Sequence, residues 1–404
     1  MNETAFLKEA NILLPYLTET RRDFHRHPEL GDHEVRTSQR IRQELEALGL
    51  DVSNPVGTAV VGLLRGGAPG KTVALRADMD ALPITERTGL PFASENDGVM
   101  HACGHDFHVT AALGAARLLS AHRSELSGSV KFLFQPNEEG TGGAERMVKA
   151  GCMESPHVDA VFGGHVDPNL PAGTVGIQYG CAYAASNPFH ITLTGASTHG
   201  AQPDAGRDPI VCAAQIISAA QTLVSRRTAP ADSAVVTFGS IHAGTAGNII
   251  PVTATMTGII RTLGPEMRSR ITGEFRALVS GIAAAMGIAA DIRIETSYPG
   301  VVNSDAQTDL IRDTAEALLG KEHVVLTPHP FMGTEDFGYF IDASAGSFIQ
   351  IGVSDSDQPI APLHSDFFDP DERALPVAAA LYAAVIQNYL REGGSGAPFA
   401  PTAP

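Results

Sequence analysis

Val73-Ala74-Leu75-Arg76-Ala77 reads as a strand, and Asp78-Met79-Asp80 follows it at once. The same arrangement recurs along the chain. Val130–Phe134 runs into Gln135-Pro136-Asn137-Glu138-Glu139-Gly140, and Ala160–Phe162 is followed by Gly164-His165-Val166-Asp167. A strand expected over 347–353 leads into the loop that carries Leu363-His364-Ser365. One helix, expected over Val109–Ala121, is preceded by His101-Ala102-Cys103-Gly104-His105-Asp106. Short apolar or β-branched runs that alternate with helical patterns point to an α/β layer architecture with a mostly parallel core sheet. In such sheets, sites form outside the carboxyl ends of the strands. Four strand ends and one helix start therefore deliver a thiol, three imidazoles and several carboxylates to one edge.

Further out, residues 16–49 carry a helical pattern interrupted near Pro28 and stopped at Gly49, and Val60–Leu64 reads as a strand. The rhythm changes near residue 186. Pro188–Thr194 alternates as a strand, and Asp208-Pro209 opens a helix with Asp as N-cap and Pro in the first turn. Ala234–Ile241 and Ala254–Arg261 are strands. Pro265 opens a second helix with Ile271, Phe275, Leu278 and Ile282 on one face and Gly287 as its stop, and Asp291–Glu295 is a last strand. That βαββαβ order is the ferredoxin-like unit. The expected organisation is a first domain over 1–185 and 296–392, an insert over 186–295, and a disordered tail over 393–404. Within the resumed first domain, helices are expected over 305–319 and 371–391.

The 404 residues, 43 % apolar and 18 % charged, have an ordinary globular composition. A net charge of −17 argues against nucleic acid and against anionic membrane surfaces, both of which select basic faces. No apolar run approaches the ~18 residues that span a bilayer. Residues 1–14 mix charges with apolar residues and lack a secretory pattern. The four cysteines Cys103, Cys152, Cys181 and Cys212 form no CxxC pair. A reducing cytoplasm is the expected setting.

Cys, His and Glu together suit zinc, manganese or cobalt. Cys103, His105, Glu138/Glu139, His165 and His364 are more donors than one tetrahedral ion needs, so two divalent ions are expected. One carboxylate of the Glu138-Glu139 pair can bind metal and leave the other as a general base. His101 and His108 read as supporting or packing histidines, His25 and His27 as structural, and Glu335-Asp336 as either site-lining or loop-bonding. Two rival readings are a cysteine-nucleophile amidase using Cys103 and a metal-binding protein without catalysis.

These segments resemble the hippurate hydrolase and N-acyl-amino-acid amidohydrolase branch of the dinuclear zinc metallopeptidases. That branch includes the plant indole-3-acetyl-amino-acid hydrolases, and aminoacylase and carboxypeptidase G are more distant relatives. The likeness runs from Phe24-His25-Arg26-His27-Pro28-Glu29-Leu30 through Asp78–Pro83, Met100–His108 and Phe134–Gly143. It continues through Ser197-Thr198-His199-Gly200, Asp208-Pro209-Ile210, Asn248–Pro251 and Arg261-Thr262 to Gly333–Phe337 and Leu363–Ser365. The resemblance implies a metallopeptidase catalytic domain with an inserted ferredoxin-like lid and dimerisation domain. It implies metal ligands at Cys103, His105, Glu139, His165 and His364, Glu138 as general base, and Asp80 as support for the metals. It also implies that His199 polarises the scissile carbonyl in the partner subunit of a homodimer, and that Asn248 and Arg261 bind the substrate's carboxylate. The implied activity is hydrolysis of N-acyl amino acids by a metal-bound water, with an exopeptidase or dipeptidase as the neighbouring alternative. Two departures bear on substrate identity. His199 lies in Thr-His-Gly-Ala-Gln-Pro where the family often has Gly-His-Ala-Ala-x-Pro, and Gln178–Asn187 differs from the usual run.

Overall fold

The computed structural model describes residues 3–355 and 360–391, so the tail at 393–404 lies outside the described residues. The chain divides into two compact units. The first comprises Met1–Ala182, Val302–His329 and Asp336–Pro404, and the second Tyr183–Val301 and Pro330–Glu335. The residues 186–295 expected as an insert fall within the second unit.

An eight-stranded sheet organises the first unit. Its order is Asp51–Ser53, Val60–Arg65, Ser127–Gln135, Ala68–Asp78, Ala160–Pro171, Ala345–Ser354, Val175–Ile177, Val324–Leu326. The four central strands run parallel. Antiparallel pairings lie toward the two edges. Val73, Ala74 and Leu75 are fully buried, as expected for a sheet covered on both faces, and this is why the central strands read as apolar runs. Helices His105–Ala121 and Leu375–Arg391 are buried along almost their whole length. Small residues let them approach closely. A Cβ on Gly114 would lie 2.8 Å from the Ala379 Cβ.

Three boundaries differ from the sequence reading, each for a local reason. The helix expected from Val109 starts at His105, so His105 lies within its first turn. The strand expected to end at Phe162 continues to Pro171, so His165 lies inside it. Gly163 and Gly164 look like a stop, but they are packing sites. A Cβ at Gly163 would lie 2.8 Å from the Phe337 ring, and one at Gly164 2.8 Å from the Tyr382 hydroxyl. The helix expected over 371–391 is a 3-10 turn, Glu372–Ala374, followed by Leu375–Arg391 with Pro376 in its first turn.

The second unit follows Ala185–Thr194, Pro209–Ser225, Ala234–Ala243, Thr253–Thr262, Pro265–Ala285, Ala289–Ile294, which is β-α-β-β-α-β. The four strands of its larger sheet are all antiparallel, in the order Ala234–Ala243, Thr253–Thr262, Ala185–Thr194, Ala289–Ile294. This is the ferredoxin-like arrangement. The Asp208 side chain accepts from the Ile210 and Val211 amides, capping the first helix as the sequence indicated. On the second helix the fully buried stripe is Ile271, Phe275, Val279 and Ala283, while Leu278 and Ile282 pack half-buried beside it. The i+4 spacing therefore sets the inner face. Among the described residues no helix is long and apolar enough to cross a membrane.

Candidate metal centre

The Gly104 backbone turns the chain from Cys103 into the helix. Its φ of +85° is a left-handed value, and a Cβ there would lie 2.6 Å from Val166 Cγ2. Glycine is required on both counts. The turn places Cys103 just outside the helix and His105 in its first turn. Cys103 Sγ lies 3.3 Å from His165 Nε2, across the end of the neighbouring strand. His364 arrives from the far end of the chain, held by its amide donating to the Ala102 carbonyl at 2.8 Å. Its φ of +64° is strained for histidine.

Two sets of donors result. Cys103, His105 and His165 form one, and Cys103, Glu139 and His364 form the other, each with donor atoms within 4.8 Å of one another. Cys103 belongs to both. Glu138 joins His105 and Glu139 in a third set of the same size. Seven residues expected at the site, Asp80, Cys103, His105, Glu138, Glu139, His165 and His364, thus come together in the first unit.

The hydrogen bonds fix which atoms face inward. Asp80 Oδ1 is 3.2 Å from His105 Nδ1, and Asp80 Oδ2 accepts the Glu139 amide at 3.0 Å. That leaves His105 Nε2 buried and without a hydrogen bond among the described residues, facing the Asp78 carboxylate at 3.6 Å. A buried nitrogen without a hydrogen bond is costly unless something supplies what it lacks. His165 Nδ1 donates to the Val166 carbonyl at 2.8 Å, so its Nε2 points to Cys103. Glu139 Oε1 stands 3.1 Å from His364 Nε2 and 4.0 Å from His105 Nε2. Sulfur, nitrogen and carboxylate donors with lone pairs turned to a common centre fit divalent metal ions.

The protonation pattern agrees. Burial pushes the Cys103 thiol well above its ordinary pKa, so without a cation it is neutral and a poor nucleophile. This argues against the thiol-nucleophile reading. Burial also opposes ionisation of Glu139, but His364 and His105 outweigh it and hold the carboxyl at about 2. The Glu139 carboxylate in turn raises His364, against a smaller opposing effect of burial. Burial lowers His105, while Asp78 and Asp80 more than offset it and raise the ring's pKa. Cation binding would displace that proton.

The other three predicted residues lie in the second unit. His199 occupies the short strand Thr198–His199, paired with Ile249–Ile250, and the Gly200 amide donates to the Asn248 carbonyl at 2.8 Å. His199 and Asn248 are therefore neighbours. The Ala201 amide donates to His199 Nδ1 at 3.0 Å, which in the neutral ring leaves Nε2–H as an outward donor. Arg261 is half-buried in Thr253–Thr262. Its Nη1 has no hydrogen-bond partner among the described residues, and burial lowers its pKa.

Asp78 carried no role of its own in the sequence, and His108 was expected to support the site or to pack in its helix. His108 Nδ1 is 2.6 Å from Asp78 Oδ1, and Asp78 Oδ2 accepts from Arg76 at 2.8 Å. The signal lay in two periodicities. Asp78 ends its strand with Asp80 two residues on, and His105 and His108 share a helix face at i, i+3. Two carboxylates therefore meet two rings in register. His101 has neither ring nitrogen hydrogen-bonded among the described residues, and burial lowers its pKa to about 3. Asp336 accepts from Arg76, Gln135 and the Gly143 and Ala144 amides, so loop bonding accounts for it.

Residues 74–388 match the family described as Peptidase family M20/M25/M40. An N-acetylcysteine deacetylase of Bacillus subtilis (strain 168) is 39 % identical over 369 residues, which is 91 % of this chain and 95 % of the relative. The Arabidopsis thaliana IAA-amino acid hydrolase ILR1-like 2 is 38 % identical over 94 % of this chain and 86 % of its own length. Among solved structures, a Bacillus subtilis protein described as a dinuclear metal binding peptidase from the M20 family superposes with a TM-score of 0.83. It is 36 % identical, over 94 % of this chain and 99 % of that one.

Proposed function

The chain belongs to peptidase family M20/M25/M40 and hydrolyses amide bonds with the help of metal, and on that footing we propose that its substrate is an N-acyl amino acid. The observation that carries this reading is the paired donor set, Cys103, His105 and His165 beside Cys103, Glu139 and His364, with Glu138 at its border. When bound there, two divalent ions supply Lewis acidity for the carbonyl and for water. Zinc, manganese and cobalt all suit these donors.

The protein's own groups do the rest. Glu138 takes a proton from the attacking water as its oxygen adds to the carbonyl carbon. Glu138 then delivers that proton to the amine nitrogen as the C–N bond breaks, giving a carboxylic acid and a free amino acid. His199 donates Nε2–H to the carbonyl oxygen as negative charge develops on it. Arg261, with its unpartnered Nη1, and Asn248 hold the substrate's α-carboxylate. The closeness to a deacetylase of an N-acetyl amino acid and to a hydrolase of acyl-amino-acid conjugates supports this class.

The second unit serves in this reading as lid and dimerisation module, with His199 acting on the partner's substrate. Support comes from exposed apolar side chains on that unit. Ile210 is 42 %, Val211 48 %, Ile249 50 % and Val252 49 % exposed. An isologous two-fold pairing through this unit would cover such side chains. Four free cysteines, without a disulfide, are in keeping with a cytoplasmic setting.

The test is a hydrolysis screen on protein loaded with zinc, manganese or cobalt. It uses N-acetyl, N-benzoyl, indole-acetyl and long-chain acyl amino acids, their carboxamide counterparts, and dipeptides. Release of free amino acid from at least one acyl amino acid, with the carboxamide at least tenfold poorer, is the expected result. Cleavage of dipeptides alone would replace this reading with an exopeptidase, and no turnover with metal bound would reject it.

A further inference from the structure

His108 is fully enclosed in the first unit, stacked on His105 with ring centroids 5.4 Å apart and edge-on to His165 at 4.7 Å. It could be taken for a further ligand, since Asp78, His105 and His108 also gather their donor atoms within 4.8 Å. Both its nitrogens are already committed. The Val166 amide donates to His108 Nε2 at 3.0 Å, and Nδ1 stands 2.6 Å from Asp78 Oδ1. A backbone N–H can only donate, so Nε2 carries no proton, and the ring proton sits on Nδ1 facing the carboxylate.

The chain of bonds then continues through one peptide residue. The Val166 carbonyl can only accept, so His165 holds its proton on Nδ1 at 2.8 Å from that oxygen. His165 Nε2 is left bare, 3.3 Å from Cys103 Sγ. A ring flipped in tautomer would present N–H to the metal instead of a lone pair. We propose that His108 is a positioning residue for His165: by accepting the Val166 N–H while Asp78 anchors its other nitrogen, it fixes the carbonyl that draws the His165 proton to Nδ1 and leaves Nε2 to coordinate. The inference rests on the reading of His165 as a ligand. It extends the site by a relay of Asp78, His108 and Val166, and none of the three needs to touch metal or substrate. Arg76 holds the outer end, donating to Asp78 Oδ2 at 2.8 Å.

The test uses zinc-loaded protein labelled with 15N-histidine, in which two-bond ring correlations report each tautomer. His108 and His165 should both carry their proton on Nδ1. A proton on Nε2 of either ring overturns the inference, and this readout needs no variant to fold. Zinc affinity against a chromophoric chelator gives the second arm. His108→Phe keeps a ring but removes both bonds, and should weaken one of the two zinc equivalents by about 10–100-fold, the usual cost of losing a partner that orients a ligand. His108→Gln, whose amide oxygen can accept the Val166 N–H, should recover most of that loss. Unchanged zinc affinity in His108→Phe, or equal loss in both variants, contradicts the relay. His165→Ala separates the two levels of the argument. If it keeps both zinc ions at full affinity, the ligand reading fails and the inference with it. If it loses one while His108→Phe loses none, only the inference fails.

Discussion

Asp80 grips His105 at Nδ1 with one carboxylate oxygen, at 3.2 Å, and the Glu139 amide with the other, at 3.0 Å. One side chain thus orients a donor of each ligand set. Removing it in Asp80→Ala should weaken both metal equivalents, each by about 10–100-fold. Metal titration checks this. Loss confined to one equivalent would show that the Glu139 contact is incidental.

Cys103 is common to both donor sets. Cys103→Ala should therefore lower the binding of both equivalents, whereas His165→Ala and His364→Ala should each lower one. Metal analysis after dialysis against a weak chelator reads the difference. Because burial keeps the metal-free thiol protonated, alkylation of metal-free protein should be slow at neutral pH and faster as the pH rises. Bound metal should block it further, and equal alkylation rates with and without metal would count against Cys103 as a ligand.

Arg21 is buried against Asp106, 3.0 Å away, and also reaches Asp369 and Glu372. Burial works against the Asp106 charge, but Arg21 and His25 prevail and hold its carboxyl well below the usual carboxylate range. A depressed folded-state pKa means this stabilisation is complete above the unfolded value of about 4 and is lost progressively as the pH falls from there through the folded value. Arg21→Met leaves a buried carboxylate without its cation and should cost about 3–5 kcal/mol at neutral pH. Urea denaturation measures it, and a loss below about 1 kcal/mol would show that His25 and the Phe107 amide satisfy Asp106 alone.

Much of this was legible in the residue order, for a physical reason. A sheet covered on both faces needs apolar strands, so Val73–Ala77 and Val130–Phe134 announce themselves, and the donors at their ends follow from chain direction. Asp208-Pro209 marked a helix start because capping is local. Contacts made across the fold were hidden. The strand expected to end at Phe162 runs on through Gly163 and Gly164, where Phe337 and Tyr382 pack against the backbone. Whether His108 supports the site or only packs stayed open, because its partner, the Val166 amide, lies 58 residues away. Short strands such as Val175–Ile177 and Val324–Leu326 carry too few residues for any period to show.

Glu138 bears the central claim, that this chain moves the proton in a metal-assisted amide hydrolysis. The decisive measurement is turnover of the best N-acyl amino acid by Glu138→Gln, with metal content determined on the same sample. The account predicts two metal equivalents retained and turnover reduced by about 10²–10⁴-fold, the usual contribution of a general base. Two metals bound with more than about a tenth of wild-type activity would contradict it.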